Sequence, residues 1–408
     1  MVDSGVPDLL LTRNVLPFVS YARMREEPVR WDKSMNGWVV SSYDLCKKVL
    51  RGDNTTFRHI DQDNREVVTL VTGAPRHMSF MTGDEHRRLH QWWLRLFSPG
   101  RMTEIHETVV KPIVAATVDR FVNTGAADLY PDLAARIPPR VIAAVLGLPW
   151  EDDEWIARML ELLNRVGAFF NRPPTEENIE ADAIPASDEL TAMLLPVIEE
   201  RRSGDGDDII STAWRDGPEI LSDWDETDVM GMVRTMFLGG TDTTARGIAN
   251  AMFLVLSRPD VATQVREDPS LEPAFVEESL RLFPPAHFRV RLANEDVEVG
   301  GVTIHKDEKV LPLLGSANRD PGKYPEPDEF AMDRRALRDH VAFNYGSRTC
   351  VGAALARSEI QESVHAVLGR LPNLRLDPDA PAPVHDGFAL RSYIMLRVKF
   401  DVPHTTSV

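Results

Sequence analysis

Along most of the chain apolar residues return every three to four positions, the period at which they line one face of a helix. The pattern predicts helices over Glu104 to Val122, Asp152 to Val166, Ser187 to Arg202, Thr227 to Ser257, Pro273 to Leu282 and Val351 to Leu368. Strand-like pieces are short: Trp38 to Val40, Val297 to Ile304 around a Gly300-Gly301 turn, Lys309 to Leu314, and Ile394 to Phe400. No Ser/Gly-rich or charge-block linker divides the chain, and no internal repeat is visible. The pattern predicts one mainly α domain over residues 1–408 with small peripheral β-sheets, an α+β arrangement.

Composition narrows the function classes. A net charge of −17 over 408 residues argues against nucleic-acid binding, which needs clustered Lys and Arg. No run of 18 apolar residues predicts a membrane span, and Met1-Val2-Asp3-Ser4-Gly5 lacks the basic and apolar regions of a secretory signal. Two cysteines, Cys46 and Cys350, fit a reducing compartment better than a disulfide framework. The expectation is a soluble, cytoplasmic, monomeric protein with no membrane and no nucleic-acid partner.

Three segments carry candidate chemistry. In Phe343-Asn344-Tyr345-Gly346-Ser347-Arg348-Thr349-Cys350-Val351-Gly352 a cysteine stands just before a helix start, where free backbone N–H groups and the helix dipole favour a thiolate. Gly346 and Gly352 allow a tight loop that comes close to a flat ligand, and Arg348 adds a cation. A nucleophile, a metal ligand and an inert buried thiol all remain open on these residues alone. The second segment is Gly239-Gly240-Thr241-Asp242-Thr243-Thr244, at the centre of a long apolar helix. Each glycine there costs about 1 kcal/mol, and a carboxylate needs a partner or water. A hydroxyl bond from Thr243 to the carbonyl of residue 239 or 240 would open the helix locally into a groove. A close helix crossing explains the small residues equally well. The third, Glu278-Ser279-Leu280-Arg281, pairs an acid and a base on one helix face ahead of Pro284-Pro285, a pattern common on solvated helices.

Taken in order, these motifs resemble the cytochrome P-450 family over roughly residues 30–400, with residues 1–30 a variable N-terminal segment. Phe343, Gly346, Arg348, Cys350 and Gly352 fall in register with its haem-binding loop. Asn344 departs from the glycine usual there and predicts a local change of loop backbone. The resemblance implies a single triangular, mainly helical domain with haem b between the long central helix and the helix after the cysteine. It implies Cys350 as axial iron ligand, a groove at Gly239 and Gly240, and a proton relay to dioxygen through Asp242 and Thr243. Glu278 and Arg281 become structural, with Arg334 as third partner in place of the arginine that often stands where Glu329 is. His86, His90, Arg291 and Arg348 become propionate contacts, His90 standing where an arginine is usual.

The implied reaction is hydroxylation or epoxidation of a small, largely apolar molecule. No flavin or iron–sulfur module is fused, so a separate ferredoxin and ferredoxin reductase are the expected electron donors, docking near Cys350. Residues 54–82, 160–185 and 286–290 correspond to substrate-contacting regions, with His287 and Phe288 as candidate contacts; Phe169-Phe170 reads as pocket lining or core. Oxidative coupling or ring closure, a non-catalytic haem protein, and more remotely a cysteine hydrolase stay as alternatives.

Overall fold

A computed structural model describes residues 7–13, 15–63, 65–171 and 180–402. The chain forms two compact units, one of Met1–His59, Val114–Arg136 and Thr243–Val408, the other of Ile60–Ile113 and Ile137–Asp242. All strands among the described residues belong to the first unit, and the second is helical.

The largest sheet joins β1 (Val29–Asp32), β2 (Gly37–Val40), β3 (Phe57–His59), β4 (Arg291–Ala293) and β5 (Lys309–Pro312) in the order β1-β2-β5-β4-β3. Strand β2 runs parallel to β5, with Val39 opposite Leu311, and the other pairings are antiparallel. Val40 and Val310 are fully buried and share a core with Tyr43, Cys46, Val49, Leu50, Phe57 and Ala293. Cys46 is therefore a core residue; its thiol donates to Val40 O at 3.1 Å, and both cysteines are free. The Val297–Val299 and Val302–Ile304 strands form the hairpin that the sequence predicts. Its turn residues Gly300 and Gly301 have φ of 59° and 82°, which side chains with a Cβ resist. Of Ile394 to Phe400 only Arg397–Lys399 is strand, between Ala126–Asp128 and Arg375–Leu376.

In the helical unit Asp153–Asn171 packs against Glu180–Glu200, and Trp92 Nε1 on Gly83–Leu96 donates to Asp216 at 2.9 Å. The side chains of Phe169 and Phe170 lie outside the described residues. The helix expected over Glu104 to Val122 is instead Pro99–Ile105, one wide turn over His106–Val110, and Lys111–Asp119. The wide turn keeps the helical rise but shifts the hydrogen-bond register, which apolar spacing does not reveal.

Glu226–Ser257 is one helix of 32 residues, roughly 48 Å long. It is not interrupted at the glycines, and Thr241 Oγ1 donates to Phe237 O at 2.7 Å within regular helix. Among the described residues no helix is long and apolar enough to cross a membrane.

Candidate active site

The cysteine loop owes its shape to two residues with positive φ. Gly346 has φ 80°, and a Cβ there would stand 3.1 Å from Leu50 O and 3.3 Å from Arg51 Cα. Asn344 has φ 67°, in the left-handed region where Asn is the best tolerated residue after Gly. Its amide Nδ2 donates to Arg348 O at 2.9 Å and its Oδ1 accepts from Tyr345 N. The departure at Asn344 therefore keeps a glycine-type backbone, where the sequence predicted a change. Cys350 N donates to Phe343 O at 2.9 Å and closes the loop, while Arg357 lies 4.4 Å from the centroid of the Phe343 ring.

Cys350 is exposed. Burial is the largest influence on its thiol and raises its pKa, opposed by the Gly352 backbone N–H and by the charges of Arg289 and Arg357. Gly352 caps Ala353–Arg370, and a Cβ on it would meet nothing within 4 Å.

The middle of the 32-residue helix has a similar opening. Met230, Val233 and Phe237 before it and Ile248, Ala249 and Met252 after it are buried. Between them Gly239 is exposed and Leu238, Gly240, Asp242 and Thr243 are half-buried, and a Cβ on Gly239 would meet nothing within 4 Å. Gly240 has the opposite need, since a Cβ there would stand 2.9 Å from Ile142. Thus one glycine borders open space and the other lets the helix come close to Ile142, at adjacent positions.

Glu278 is fully buried. It accepts from Arg281 Nε and Nη2, both at 2.7 Å, from Arg334 Nε at 2.8 Å and from Ala331 N at 2.9 Å. Arg281 also donates to the carbonyls of Asn318, Pro327 and Glu329. Glu278, Arg281 and Arg334 thus meet, and tie the helix Glu272–Leu282 to residues 318–334. Glu329 takes part through its carbonyl rather than its side chain.

Sequence reasoning missed the neighbour, Glu277, which faces the cysteine loop. It lies 2.9 Å from His340 Nε2 and accepts from Arg357 at 2.6 and 3.0 Å. Burial would raise its pKa, but the bonds from His340 and Arg357 outweigh burial and lower it to about 2. A lowered carboxylate pKa stabilises the fold above the ordinary value of 4.5, and that stability is lost as pH falls toward 2. The shift corresponds to on the order of 3 kcal/mol. Acid unfolding of Glu277→Gln should therefore be flatter between pH 4.5 and 2 than that of wild type, followed by far-UV circular dichroism; equal slopes would refute this role.

Arg291 Nη2 donates to Asp53 Oδ2 at 2.7 Å, and Arg348 Nη2 to Asn54 Oδ1 at 2.6 Å. Buried Arg291 Nε has no hydrogen-bond partner among the described residues. In the helical unit His86 and His90 are both buried on Gly83–Leu96, their rings stacked with centroids 5.6 Å apart. His287 is fully buried, with Nδ1 3.1 Å from Tyr21 OH and its ring 5.7 Å from that of His385. Phe288 packs on Phe388, centroids 5.1 Å apart. These two candidate substrate contacts sit in packed surroundings.

A cysteine thus precedes the helix Ala353–Arg370, which Glu277 ties to the helix Glu272–Leu282 through Arg357. The chain belongs to the cytochrome P450 family, whose model matches residues 29–389. A cytochrome P450 monooxygenase of Streptomyces venezuelae, PikC, is 33% identical over 373 residues, 88% of this chain and 85% of that protein. The mycinamicin IV hydroxylase/epoxidase of Micromonospora griseorubida is 31% identical over 388 residues, 93% and 94% of the two chains. The crystal structure of CYP109B1 from Bacillus subtilis superposes with a TM-score of 0.79 at 26% identity, covering 95% of this chain and 100% of that one.

The protein is thus a cytochrome P450 monooxygenase with haem b as cofactor and dioxygen as co-substrate. Its residues fit that group. Cys350 is an exposed thiol just before the helix Ala353–Arg370, where a metal ion would take it as thiolate, and Arg291 Nε is a buried donor of the kind a carboxylate satisfies.

Proposed function

We propose that this monooxygenase inserts oxygen into a C–H bond or alkene of a small, largely apolar organic molecule, with electrons from a separate ferredoxin and its reductase. The observation that carries the reading is the accessible stretch on an otherwise buried helix, where Asp242 and Thr243 stand beside the open face of Gly239. An acid and an alcohol at such an opening suit proton delivery to dioxygen. The relative named hydroxylase/epoxidase supports the same reaction type.

In this mechanism Cys350 would hold the haem iron through Sγ, and the Gly352 N–H would donate to that sulfur. When bound, haem supplies the redox chemistry that activates dioxygen, with thiolate donation favouring O–O cleavage. Arg291 and Arg348 would hold its propionates, with His86 and His90 as further contacts. Gly239 leaves space for dioxygen. Thr243 Oγ1 would hold a proton at this opening, and the Asp242 carboxyl would replace it once it is passed on. Glu277 and Glu278 fix the cysteine loop and residues 318–334 that support it.

Purified holoenzyme, titrated with a library of small molecules, should give substrate-induced spin-state shifts for some of them. Those compounds should gain one oxygen atom when NAD(P)H, ferredoxin and reductase are supplied. Spin-shifting compounds that return coupled or cyclised products without added oxygen would contradict the proposal.

A further inference from the structure

Two adjacent buried carboxylates on the helix Glu272–Leu282 have different partners. Glu278 is bonded to Arg281 and Arg334. Glu277 instead accepts a fork from Arg357, Nε at 2.6 Å and Nη2 at 3.0 Å, a bidentate geometry that fixes the guanidinium plane. His340 Nε2 lies 2.9 Å from the same carboxylate. Ala342 N donates to His340 Nδ1 at 3.3 Å, so that nitrogen is the acceptor and the neutral ring donates to Glu277 through Nε2. Arg338 Nε stands 3.7 Å from Glu277, but its side chain is 77% exposed and solvent screens its charge. Glu277 and Arg357 are thus one negative and one positive charge beside a neutral histidine.

Both ends of this pair reach the cysteine loop. His340 stands three residues before Phe343, with ring centroids 6.0 Å apart. The Arg357 guanidinium lies 4.4 Å from the centroid of the Phe343 ring, and the Phe343 carbonyl accepts from Cys350 N at 2.9 Å. Side chains on a helix tilt toward its N-terminus, and Arg357 Nη1 reaches back to Ala353 O at 3.4 Å, in the turn that follows Cys350. The cation is held toward the start of its helix, while its counter-charge comes from a different helix. Two substitutions can therefore remove either charge without touching the loop itself.

We infer that Glu277 and Arg357 are positioning residues whose opposed charges set the reduction potential of the iron held by Cys350. They thereby set how readily that iron takes an electron from the external donor. The inference rests on the assignment of Cys350 as axial ligand. Reduction removes one unit of positive charge at the iron, so a nearby cation favours the ferrous state and a nearby anion the ferric state. Glu277 is only 3% exposed, and water screens a buried charge less than a surface one. With both charges present their influences oppose each other; with one removed, the other acts alone.

The test is a spectroelectrochemical titration of substrate-free holoenzyme at neutral pH. It compares wild type, Glu277→Gln, Arg357→Gln, Arg357→Lys and the double variant Glu277→Gln/Arg357→Gln. Glu277→Gln should raise the midpoint potential and Arg357→Gln should lower it. Each shift should be about tenfold in the ferric–ferrous equilibrium, about 59 mV for one electron. The double variant is neutral again and should return close to wild type, and Arg357→Lys, which keeps the charge, should stay there. Shifts of the same sign in the two single variants, or none in either, would overturn the inference. Loss of the red-shifted carbon monoxide band in the variants alone would also overturn it, by making the pair a mere prop for the thiolate. Absence of that band from wild type as well would overturn the Cys350 assignment and the inference with it.

Discussion

Asp242→Asn should lower kcat on any coupled substrate about 100-fold or more while leaving haem content and substrate affinity unchanged. The magnitude is that of a positioned general acid or base, 10²- to 10⁴-fold. The direction follows from chemistry: the amide keeps the size and polarity of the carboxyl but neither takes up nor releases a proton at neutral pH. The position follows from the helix, since Asp242 and Thr243 lie half-buried where Gly239 leaves open space. Thr243→Val should slow turnover similarly, and Thr243→Ser should retain most of it, because only the hydroxyl is needed. Steady-state turnover beside equilibrium spin-state titration separates the two quantities. Unchanged kcat in Asp242→Asn would remove this carboxyl from the relay.

Glu278→Ala should destabilise the protein by roughly 3–5 kcal/mol, enough to prevent accumulation of folded holoenzyme. The cost is large because the carboxylate is fully buried and is the shared acceptor of Arg281, Arg334 and Ala331 N. Removing it strands two guanidiniums in a site made for an anion. Glu278→Gln keeps the shape and part of the bonding, and should fall between wild type and Glu278→Ala. Thermal unfolding followed by far-UV circular dichroism reads the order. A Glu278→Ala protein as stable as wild type would show that the network is dispensable.

The long helix, the helix after Cys350 and the Val297–Ile304 hairpin were legible because their signals are local: apolar period, a cysteine before a helix start, paired glycines. The five-stranded sheet was mostly not legible. Phe57 pairs with Ala293 and Trp38 with Val310, more than 200 residues apart, and three- or four-residue strands carry little period of their own. At the site, the order of motifs led to Cys350, Glu278, Arg281 and Arg334. It could not show what each residue touches. Asn344 looked like a change of loop and proved to hold a left-handed turn, because the preference for φ above zero is shared by Asn and Gly. Glu277 was hidden beside Glu278, since its partners His340 and Arg357 come from other segments.

The assignment of Cys350 as the thiolate ligand is tested most directly by the ferrous carbon monoxide spectrum of the wild type and of Cys350→Ser. The wild type should show the red-shifted Soret band of thiolate-ligated haem, and Cys350→Ser, where haem is retained, should show none. A variant that kept the red-shifted band would place the thiolate elsewhere and contradict the account.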